Sequence, residues 1–375
     1  MRIKLKPLSE QTIVITGGSS GIGLAIARKA AQYGARVVLV ARSGETLEAV
    51  CHTISREGGT ADYVIGDVGI RDDMRNVVET VVARYGGFDT WVNDAGIGVY
   101  ARFEELSDDD HHKLFQTNYW GVVYGSLEAL KHLRQSGGAL INIGSISGDV
   151  PAPILSAYTA TKHAVRGFTN SLRLEVMHDK LPVSVTLIKP SGMHTPFGRH
   201  ARNYMDKESQ VPPPVYHPDL VADAVMHAAT HPTRSITVGG AGGAMIWLTR
   251  LCPNLADQIY SRLYFHTALG KRDRQSDESA LYYAGGEGEM LGNQNGHIRR
   301  HSLYTYKQTH PWLKPVCLVG GAALAFALYN YKKKKSSIGR LTHHLPTSTK
   351  ALSHSVHKSL PKSLPRSLRK SLHLK

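Results

Sequence analysis

The 375-residue chain has few cysteines and no apolar segment at its N-terminus. Its three cysteines, Cys51, Cys252 and Cys317, are scattered without metal-ligand spacing, so they cannot form a disulfide framework. This content suits a reducing compartment. The N-terminal sequence MRIKLKPLSEQ does not have the apolar core of a secretory signal, and none is expected.

The chain also lacks acidic residues after Glu289, whereas sixteen of its 45 Lys and Arg residues lie there. Residues 1–289 therefore hold 29 basic and 30 acidic residues, and the net charge of +15 belongs to the C-terminal tail. This distribution argues against nucleic-acid binding as the main role, since only the tail could bind nucleic acid, and without sequence specificity. No specific nucleic-acid partner is expected.

Short apolar runs alternate with longer amphipathic stretches from Thr12 to about Val238. The runs IVIT, RVVLVA, DYVI, TWVN, ALINI and VSVTLI have the composition of strands, and the stretches between them have helical spacing. The alternation is typical of an α/β fold, in which helices cover both faces of a parallel sheet. Such sheets bind ligands beyond the carboxyl ends of their strands.

The composition changes toward the C-terminus and divides the chain into four parts. The main domain is predicted over residues 9–270 and ends in a helical appendage, Ala244–Thr267, broken by Pro253. Residues 271–311 are rich in Gly, Asn, Asp and His and are predicted to be a linker. Residues 312–331 form a hydrophobic segment, and residues 332–375 are a basic low-complexity tail that is expected to be disordered in solution.

A glycine-rich turn, TGGSSGIG at residues 16–23, joins the first strand to the first helix. Glycines let backbone N–H groups and a helix N-terminus approach a pyrophosphate. The second strand ends at Arg42 where an NAD site usually has an acid, and a guanidinium there can bind a 2′-phosphate, which favours NADP(H). The alternative is a solvated arginine. Asp67, after the third strand, is placed to meet the adenine edge or is an ordinary turn residue.

Tyr158 and Lys162 are four residues apart, so their side chains are neighbours on a helix. A nearby ammonium favours the phenolate and is expected to bring the tyrosine pKa into a useful range for proton transfer. Ser145, at the end of a strand, can donate to a substrate oxygen and polarise a carbonyl. Asn118 falls in mid-helix, where asparagine is a weak helix former. A kink there would free a backbone carbonyl to hold a proton-relay water, and the alternative is a satisfied buried amide.

Taken together, these motifs resemble the short-chain dehydrogenases/reductases of the single-domain type, over roughly Ser9–Gly239. They occur in the family's order and spacing, with Asn93-Asp94-Ala95-Gly96 and Pro190-Ser191-Gly192 leading to Thr195. The resemblance implies a Rossmann-type doubly wound parallel sheet of about seven strands in the order 3-2-1-4-5-6-7. It also implies NADP(H)-dependent interconversion of a carbonyl and an alcohol without a metal.

The implied catalytic tetrad is Asn118, Ser145, Tyr158 and Lys162, with Tyr158 exchanging the proton with the alcohol oxygen. The implied cofactor-binding residues are Gly17, Ser19, Ser20, Gly21, Ile22, Gly23, Arg42, Asp67, Val68, Asn93, Ala95, Gly96, Tyr158, Lys162, Pro190, Gly192 and Thr195.

Two positions depart from the family's pattern. Asp94 stands where the family usually has Asn, and Ser191 where it has Gly; we expect altered loop packing rather than lost chemistry. His163 is expected to be an ordinary helix residue, whereas His194 could line the substrate pocket.

The substrate loop is expected at about Met193–Val215, where apolar side chains indicate a partly apolar pocket. The small-molecule carbonyl or alcohol that it takes could be steroid-like, lipid-derived or a small ketone. The resemblance suggests a homo-oligomer built on the helices around Leu114–Leu133 and Tyr158–His178. The alternative function is that of a cofactor-binding regulatory or scaffold protein with little turnover, against which the intact tetrad argues.

The apolar run Val316–Tyr329 is short for a membrane span, at about 21 Å as a helix against a hydrocarbon core of about 30 Å. Lys332–Lys335 would mark its cytoplasmic side, where an NADP(H) enzyme would also lie, and one span cannot have both ends there. We therefore expect residues 312–335 to contact a membrane surface from the cytoplasmic side. The alternative is a helix packed on the main domain.

Overall fold

Seven parallel strands form the central sheet of the structure, a computed structural model that describes residues 3–274, 279–285 and 288–310. Their order across the sheet is 3-2-1-4-5-6-7, which confirms the predicted Rossmann-type topology. The strands are β1 Thr12–Thr16, β2 Arg36–Ala41, β3 Thr60–Ile65, β4 Thr90–Asn93, β5 Gly138–Ile143, β6 Val183–Pro190 and β7 Ser235–Val238.

Helices cover both faces of this sheet, because strand side chains alternate between two apolar cores. Ile13 and Ile15 pack on one face, in the core that α1 and α8 complete, whereas Val14 packs on the other face in the core shared with α3 and α5. The helices are α1 Gly21–Gln32, α2 Gly44–Arg56, α3 Arg71–Tyr85, α4 Asp108–Phe115, α5 Gly121–Ser136, α6 Ser156–His178, α7 Phe197–His200, α8 Asp219–Thr230, α9 Gly240–Leu251, α10 Pro253–Thr267 and α11 Leu303–Thr309.

The carboxyl ends of the central strands lie at one edge of the sheet. Thr16 at the end of β1 is in register with Asn93 of β4, and Asn93 with Asn142 of β5. The loops that follow these residues therefore start side by side, which brings the glycine-rich turn and the Ser145 loop together at the topological switch point.

The predicted helical appendage is a pair of helices, α9 and α10, divided at Pro253. Proline fits there because the first helical residue needs no N–H partner. The pair packs on the main body through Val150, Ile246, Ala256 and Tyr260, all buried.

The stretch predicted as a linker, residues 271–311, differs from that prediction. Leu269–Asp273 pairs antiparallel with Lys207–Ser209, and Ile298–Arg299 pairs parallel with Val215–Tyr216. Helix α11 follows, and the first compact unit extends beyond it. The strand pairings are made through the backbone, so a polar composition is compatible with them.

The hydrophobic run Val316–Tyr329 and the basic tail lie outside the described residues. Within the part of the chain that the structure describes, no helix combines the length and apolar character needed to cross a membrane.

Candidate active site

A cavity of about 560 Å³ opens at the carboxyl ends of β1, β4, β5 and β6, a volume typical of ligand pockets. Gly23, Asn93 and Asn118 are not on its wall. The predicted site residues that line it are Gly17, Ser19, Ser20, Gly21, Ile22, Arg42, Asp67, Val68, Ala95, Gly96, Ser145, Tyr158, Lys162, Pro190, Gly192 and Thr195.

The turn between β1 and α1 forms a close-packed cradle at one end of the cavity. Gly17 has a φ of +73°, and a Cβ there would lie 2.8 Å from the Ala95 Cα. A Cβ on Gly23 would lie 2.2 Å from the Gly17 carbonyl oxygen, so Gly23 supports the turn from behind. Gly21 and Ile22, in the first turn of α1, line the cavity. A helix N-terminus in this position fits a dinucleotide pyrophosphate. The Gly21 N–H already donates to the Glu289 carbonyl at 2.9 Å.

Arg42 lies at the end of β2, on the cavity wall, as a 2′-phosphate site requires. Its guanidinium donates to the backbone carbonyls of Ala280 and Tyr283, each at 2.6 Å, and of Tyr282 at 3.3 Å. A guanidinium carries five N–H donors, so it can bind a further acceptor besides these three. The guanidinium is therefore bonded to the protein and is also partly exposed.

Asp67 and Val68 line the neighbouring stretch of wall. The Asp67 carboxylate accepts from the Gly69 N–H at 2.8 Å and from Lys113 at 3.4 Å. Asp67 therefore shapes its own turn as well as facing the cavity.

Ser145, Tyr158 and Lys162 meet between the end of β5 and the first turns of α6. Ser145 lies beside the Tyr158 hydroxyl and lowers its pKa, and the Ser145 Oγ accepts from the Ser147 N–H at 3.0 Å. The Lys162 Nζ lies 5.7 Å from the centroid of the Tyr158 ring and donates to the Ile143 carbonyl at 3.1 Å. The hydroxyls of Ser145 and Tyr158 and the Lys162 ammonium therefore belong to the same part of the cavity wall.

The pKa values at this wall differ from the sequence expectation. Burial raises the pKa of Tyr158 to about 12, against the lowering effect of the Ser145 hydrogen bond, and the Asp94 charge raises it further. Burial lowers the pKa of Lys162 to about 8, although the Asp94 carboxylate opposes this shift. Desolvation therefore outweighs the expected effect of the ammonium on the tyrosine.

Asn118 occupies a π-type turn, Gln116–Trp120, between α4 and α5, at the place where the kink is predicted. Its amide is also fully buried and satisfied. Oδ1 accepts from the Ile97 N–H at 2.9 Å, and Nδ2 donates to the Ile97 carbonyl at 2.9 Å and to Thr161 Oγ1 at 3.2 Å. Because Thr161 in turn donates to the Tyr158 carbonyl at 2.7 Å, Asn118 is tied to the helix that carries the tyrosine.

Asn93, predicted to contact the cofactor, instead lies in a buried polar network beneath the cavity. Its Nδ2 donates to Asn142 Oδ1 at 2.8 Å and to Ser126 Oγ at 3.1 Å, and its Oδ1 accepts from the Trp91 indole at 2.8 Å. All its side-chain groups are engaged, so it holds β4 to β5 and α5 rather than facing a ligand.

The two departures from the family's pattern both lie on the wall. Burial raises the pKa of Asp94 to about 7, although the Lys162 charge and a hydrogen bond from the Gly23 N–H oppose the shift. Ser191 donates to the Val238 carbonyl at 2.8 Å and so ties the loop after β6 to the end of β7.

The two nearby histidines are not on the wall. His163 Nδ1 is 3.0 Å from the Thr159 carbonyl on the same helix, as expected of an ordinary helix residue. His194 is buried, and burial and His217 lower its pKa.

The far end of the cavity is apolar, and sequence motifs did not identify its residues. They come from the helix pair α9–α10, beyond the last motif. Burial raises the pKa of Tyr264 above its ordinary range, and the nearby Tyr158 adds to this effect. The four-residue spacing of Ile259 and Leu263 was the available signal. The apolar wall from these helices consists of Met245, Leu248, Ile259, Leu263 and Tyr264.

Comparison with known proteins agrees with this geometry. A family model described as short chain dehydrogenase matches residues 11–206. The chain belongs to the short-chain dehydrogenase family. This short-chain dehydrogenase is 39% identical over 330 residues to the uncharacterized oxidoreductase YxnA of Bacillus subtilis (strain 168), covering 87% of this chain and 93% of that protein.

Two further proteins are similar to this short-chain dehydrogenase. An 11-beta-hydroxysteroid dehydrogenase A of Sesamum indicum is 29% identical over 288 residues, covering 73% of this chain and 81% of that protein. The solved structure of a metagenomic short-chain oxidoreductase in complex with NADP is 30% identical, with a TM-score of 0.53 over 62% of this chain and 98% of that one.

Proposed function

We propose that this short-chain dehydrogenase interconverts a carbonyl and an alcohol with NADP(H), with Tyr158 as the general acid and base. The observation that carries the proposal is that one cavity joins the glycine cradle and Arg42 at one end to Ser145, Tyr158 and Lys162 at the other. A nicotinamide cofactor, when bound, supplies the hydride chemistry.

Ser145, Tyr158 and Lys162 have the chemistry that the proposed reaction needs. The Tyr158 hydroxyl exchanges a proton with the substrate oxygen, and its raised pKa keeps it protonated and able to donate during carbonyl reduction. Ser145 donates to the same oxygen and polarises the carbonyl. The Lys162 ammonium, held by the Ile143 carbonyl, stabilises negative charge that develops on the tyrosine.

Arg42 supports the choice of NADP(H), since a guanidinium at the end of β2 suits a 2′-phosphate. The NADP complex of the similar metagenomic oxidoreductase is consistent with it. The apolar far wall favours a lipophilic carbonyl or alcohol, and the likeness to a hydroxysteroid dehydrogenase of Sesamum indicum supports a substrate of that character.

We also propose a homo-oligomer built on the helices around Leu114–Leu133 and Tyr158–His178. Trp120 and Leu127, and on α6 Leu174 and Met177, are exposed apolar side chains on this surface. Light scattering after size-exclusion chromatography measures the mass, and a monomer would contradict this proposal. Contact of residues 312–335 with a membrane surface stays a prediction.

The test of the function is oxidation of NADPH and NADH by the full chain with a panel of ketones, aldehydes and quinones. We expect turnover with NADPH that falls about 10²–10⁴-fold in Tyr158→Phe, the usual contribution of a general acid. NADPH binding without turnover by any member of the panel would favour the regulatory alternative. Equal turnover by Tyr158→Phe would contradict the assigned mechanism.

A further inference from the structure

Residues 280–285 and 288–294, which we name the C-terminal segment, lie across the cofactor end of the cavity. Ala280, Ala284 and Gly285 line the cavity directly, opposite the glycine-rich turn and Arg42. The family model ends at residue 206, so these residues are outside the part of the chain that the model matches.

The segment is hydrogen-bonded to two residues that the cofactor is predicted to contact, and it packs closely against a third. Carbonyls of Ala280, Tyr282 and Tyr283 accept from the Arg42 guanidinium, and the Glu289 carbonyl accepts from the Gly21 N–H at 2.9 Å. These contacts extend along the groove from the Arg42 end to the cradle.

The third residue is Thr195, which lies beside the cradle, since a Cβ on Gly21 would be 3.4 Å from the Thr195 Cβ. A Cβ on Gly292 would lie 2.6 Å from the Thr195 carbonyl oxygen, so only glycine allows this approach. The Gly292 N–H donates to the His194 carbonyl at 3.4 Å. The Gln294 side-chain amide then exchanges two hydrogen bonds with the Val211 backbone, both at 2.8 Å.

The segment is anchored to the body away from the cofactor contacts. Leu281 is fully buried against Leu114 and Ala157. The Tyr282 hydroxyl donates to Asp110 Oδ1 at 2.8 Å, and Asp110 is itself buried. Glu289 is paired with Arg199. These side-chain anchors hold the segment to parts of the body other than the glycine-rich turn.

We propose that the C-terminal segment is a clasp that completes the cofactor-binding site and slows release of the bound dinucleotide. The proposal rests on the proposed function, because it takes NADP(H) as the ligand. The Arg42 guanidinium has five N–H donors, so it can hold the carbonyls of the segment and a phosphate at the same time. The dinucleotide leaves only after these contacts and the anchors separate.

Two adjacent tyrosines provide a matched test. Tyr282→Phe removes the hydroxyl bound to Asp110, whereas Tyr283→Phe removes a hydroxyl from a side chain that is 79% exposed. Neither side chain belongs to the proposed catalytic or cofactor-binding machinery. We expect the NADPH release rate of Tyr282→Phe to rise about tenfold, the effect of losing one hydrogen bond to a charged group, and that of Tyr283→Phe to equal the wild type.

Release is measured by stopped-flow fluorescence of the full chain loaded with NADPH and chased with excess NADP⁺. A second pair of variants, both glycine to alanine, tests the contact between the clasp and Thr195. Gly292→Ala clashes with the Thr195 backbone, whereas a Cβ on Gly167, on α6 and not on the cavity wall, meets nothing within 4 Å. We expect faster release from Gly292→Ala alone.

Amide hydrogen exchange of the wild type gives a readout that needs no variant. We expect NADPH to slow exchange in residues 280–285 and 288–294. Equal release rates for Tyr282→Phe and Tyr283→Phe, slower release from Tyr282→Phe, or unchanged exchange on NADPH addition would each overturn the clasp while leaving the reductase proposal intact. Failure of the wild type to bind NADPH or NADH would overturn both.

Discussion

Residues 11–206 and residues 240–310 build opposite sides of the same cavity by different means. The first region presents side chains and tight turns at the ends of parallel strands, such as Tyr158 and the glycine cradle. The second adds an apolar helix pair and a segment that binds through backbone carbonyls. The proposed reacting groups thus lie in the part that the family model matches, whereas the proposals for substrate fit and cofactor retention rest on residues after it.

The largest expected effect comes from breaking the first region at Gly23. Gly23→Ala places a Cβ 2.2 Å from the Gly17 carbonyl, and the backbone there cannot move aside. We expect the free energy of unfolding to fall by about 1–3 kcal/mol, as overpacking usually costs, together with weaker cofactor binding. Urea denaturation followed by circular dichroism measures the first effect.

Gly167→Ala is the matched control for this change. Gly167 lies within α6, and a Cβ there meets nothing within 4 Å. We expect this variant to gain about 0.5–1 kcal/mol, because alanine is the better helix former. A loss of stability equal to that of Gly23→Ala would show that the close approach to Gly17 is not the cause.

Arg42 lies in the first region and is hydrogen-bonded to the second. Its removal therefore separates the contributions of the two regions to cofactor binding. In Arg42→Ala, loss of a 2′-phosphate contact raises the Kd for NADPH alone, by about tenfold for one charge-assisted interaction. Loss of the bonds to residues 280–283 weakens NADPH and NADH alike. Fluorescence titration with both cofactors distinguishes the two effects.

We expect the first effect to exceed the second. Arg56→Ala, which removes an exposed arginine from the end of α2, should change neither Kd. Equal weakening of NADPH and NADH in Arg42→Ala would contradict the assignment of Arg42 to the 2′-phosphate.

The smallest expected effect concerns Asp94, on the wall of the first region. Because the pKa of Lys162 is about 8, its ammonium is lost as the pH rises through that value, and the rate of carbonyl reduction should fall above it. Asp94, with a pKa of about 7, is ionised at pH 8 and raises the lysine pKa. In Asp94→Asn the midpoint of the decline should therefore move to lower pH, by a fraction of a unit.

Asp67→Asn makes the same chemical change elsewhere on the cavity wall and should leave the midpoint in place. The pH profile of kcat, recorded for both variants and the wild type, measures these midpoints. A midpoint that does not move in Asp94→Asn would show that Lys162 does not govern the decline.

Much of the first region could be predicted because its constraints lie close together in the sequence. The strand RVVLVA is apolar after its first residue, Arg36, since both of its faces are buried there, and the turn after β1 carries glycines where a Cβ would clash. Asn93 was misjudged because a buried amide and a cofactor ligand have the same residue type. Only the Asn142 and Ser126 partners distinguish them, and they lie on other elements.

The second region was harder to predict for a physical reason. Its contacts to Arg42 and Gly21 are made by backbone carbonyls, which every residue possesses. Gly292 allows close contact with Thr195, yet glycine is equally frequent in linkers. The tyrosine pKa could not be predicted either, since spacing reports the neighbouring lysine but not the degree of burial.

Strand β7 lies at an edge of the sheet, where unpaired backbone groups invite another chain to add a strand. The Gln308 side chain of α11 accepts from the Thr237 N–H at 3.0 Å and donates to its carbonyl at 2.8 Å, as a neighbouring strand would. One glutamine thus protects this edge against edge-to-edge aggregation. Shortening the chain before α11 would expose the edge and favour insoluble assemblies during expression.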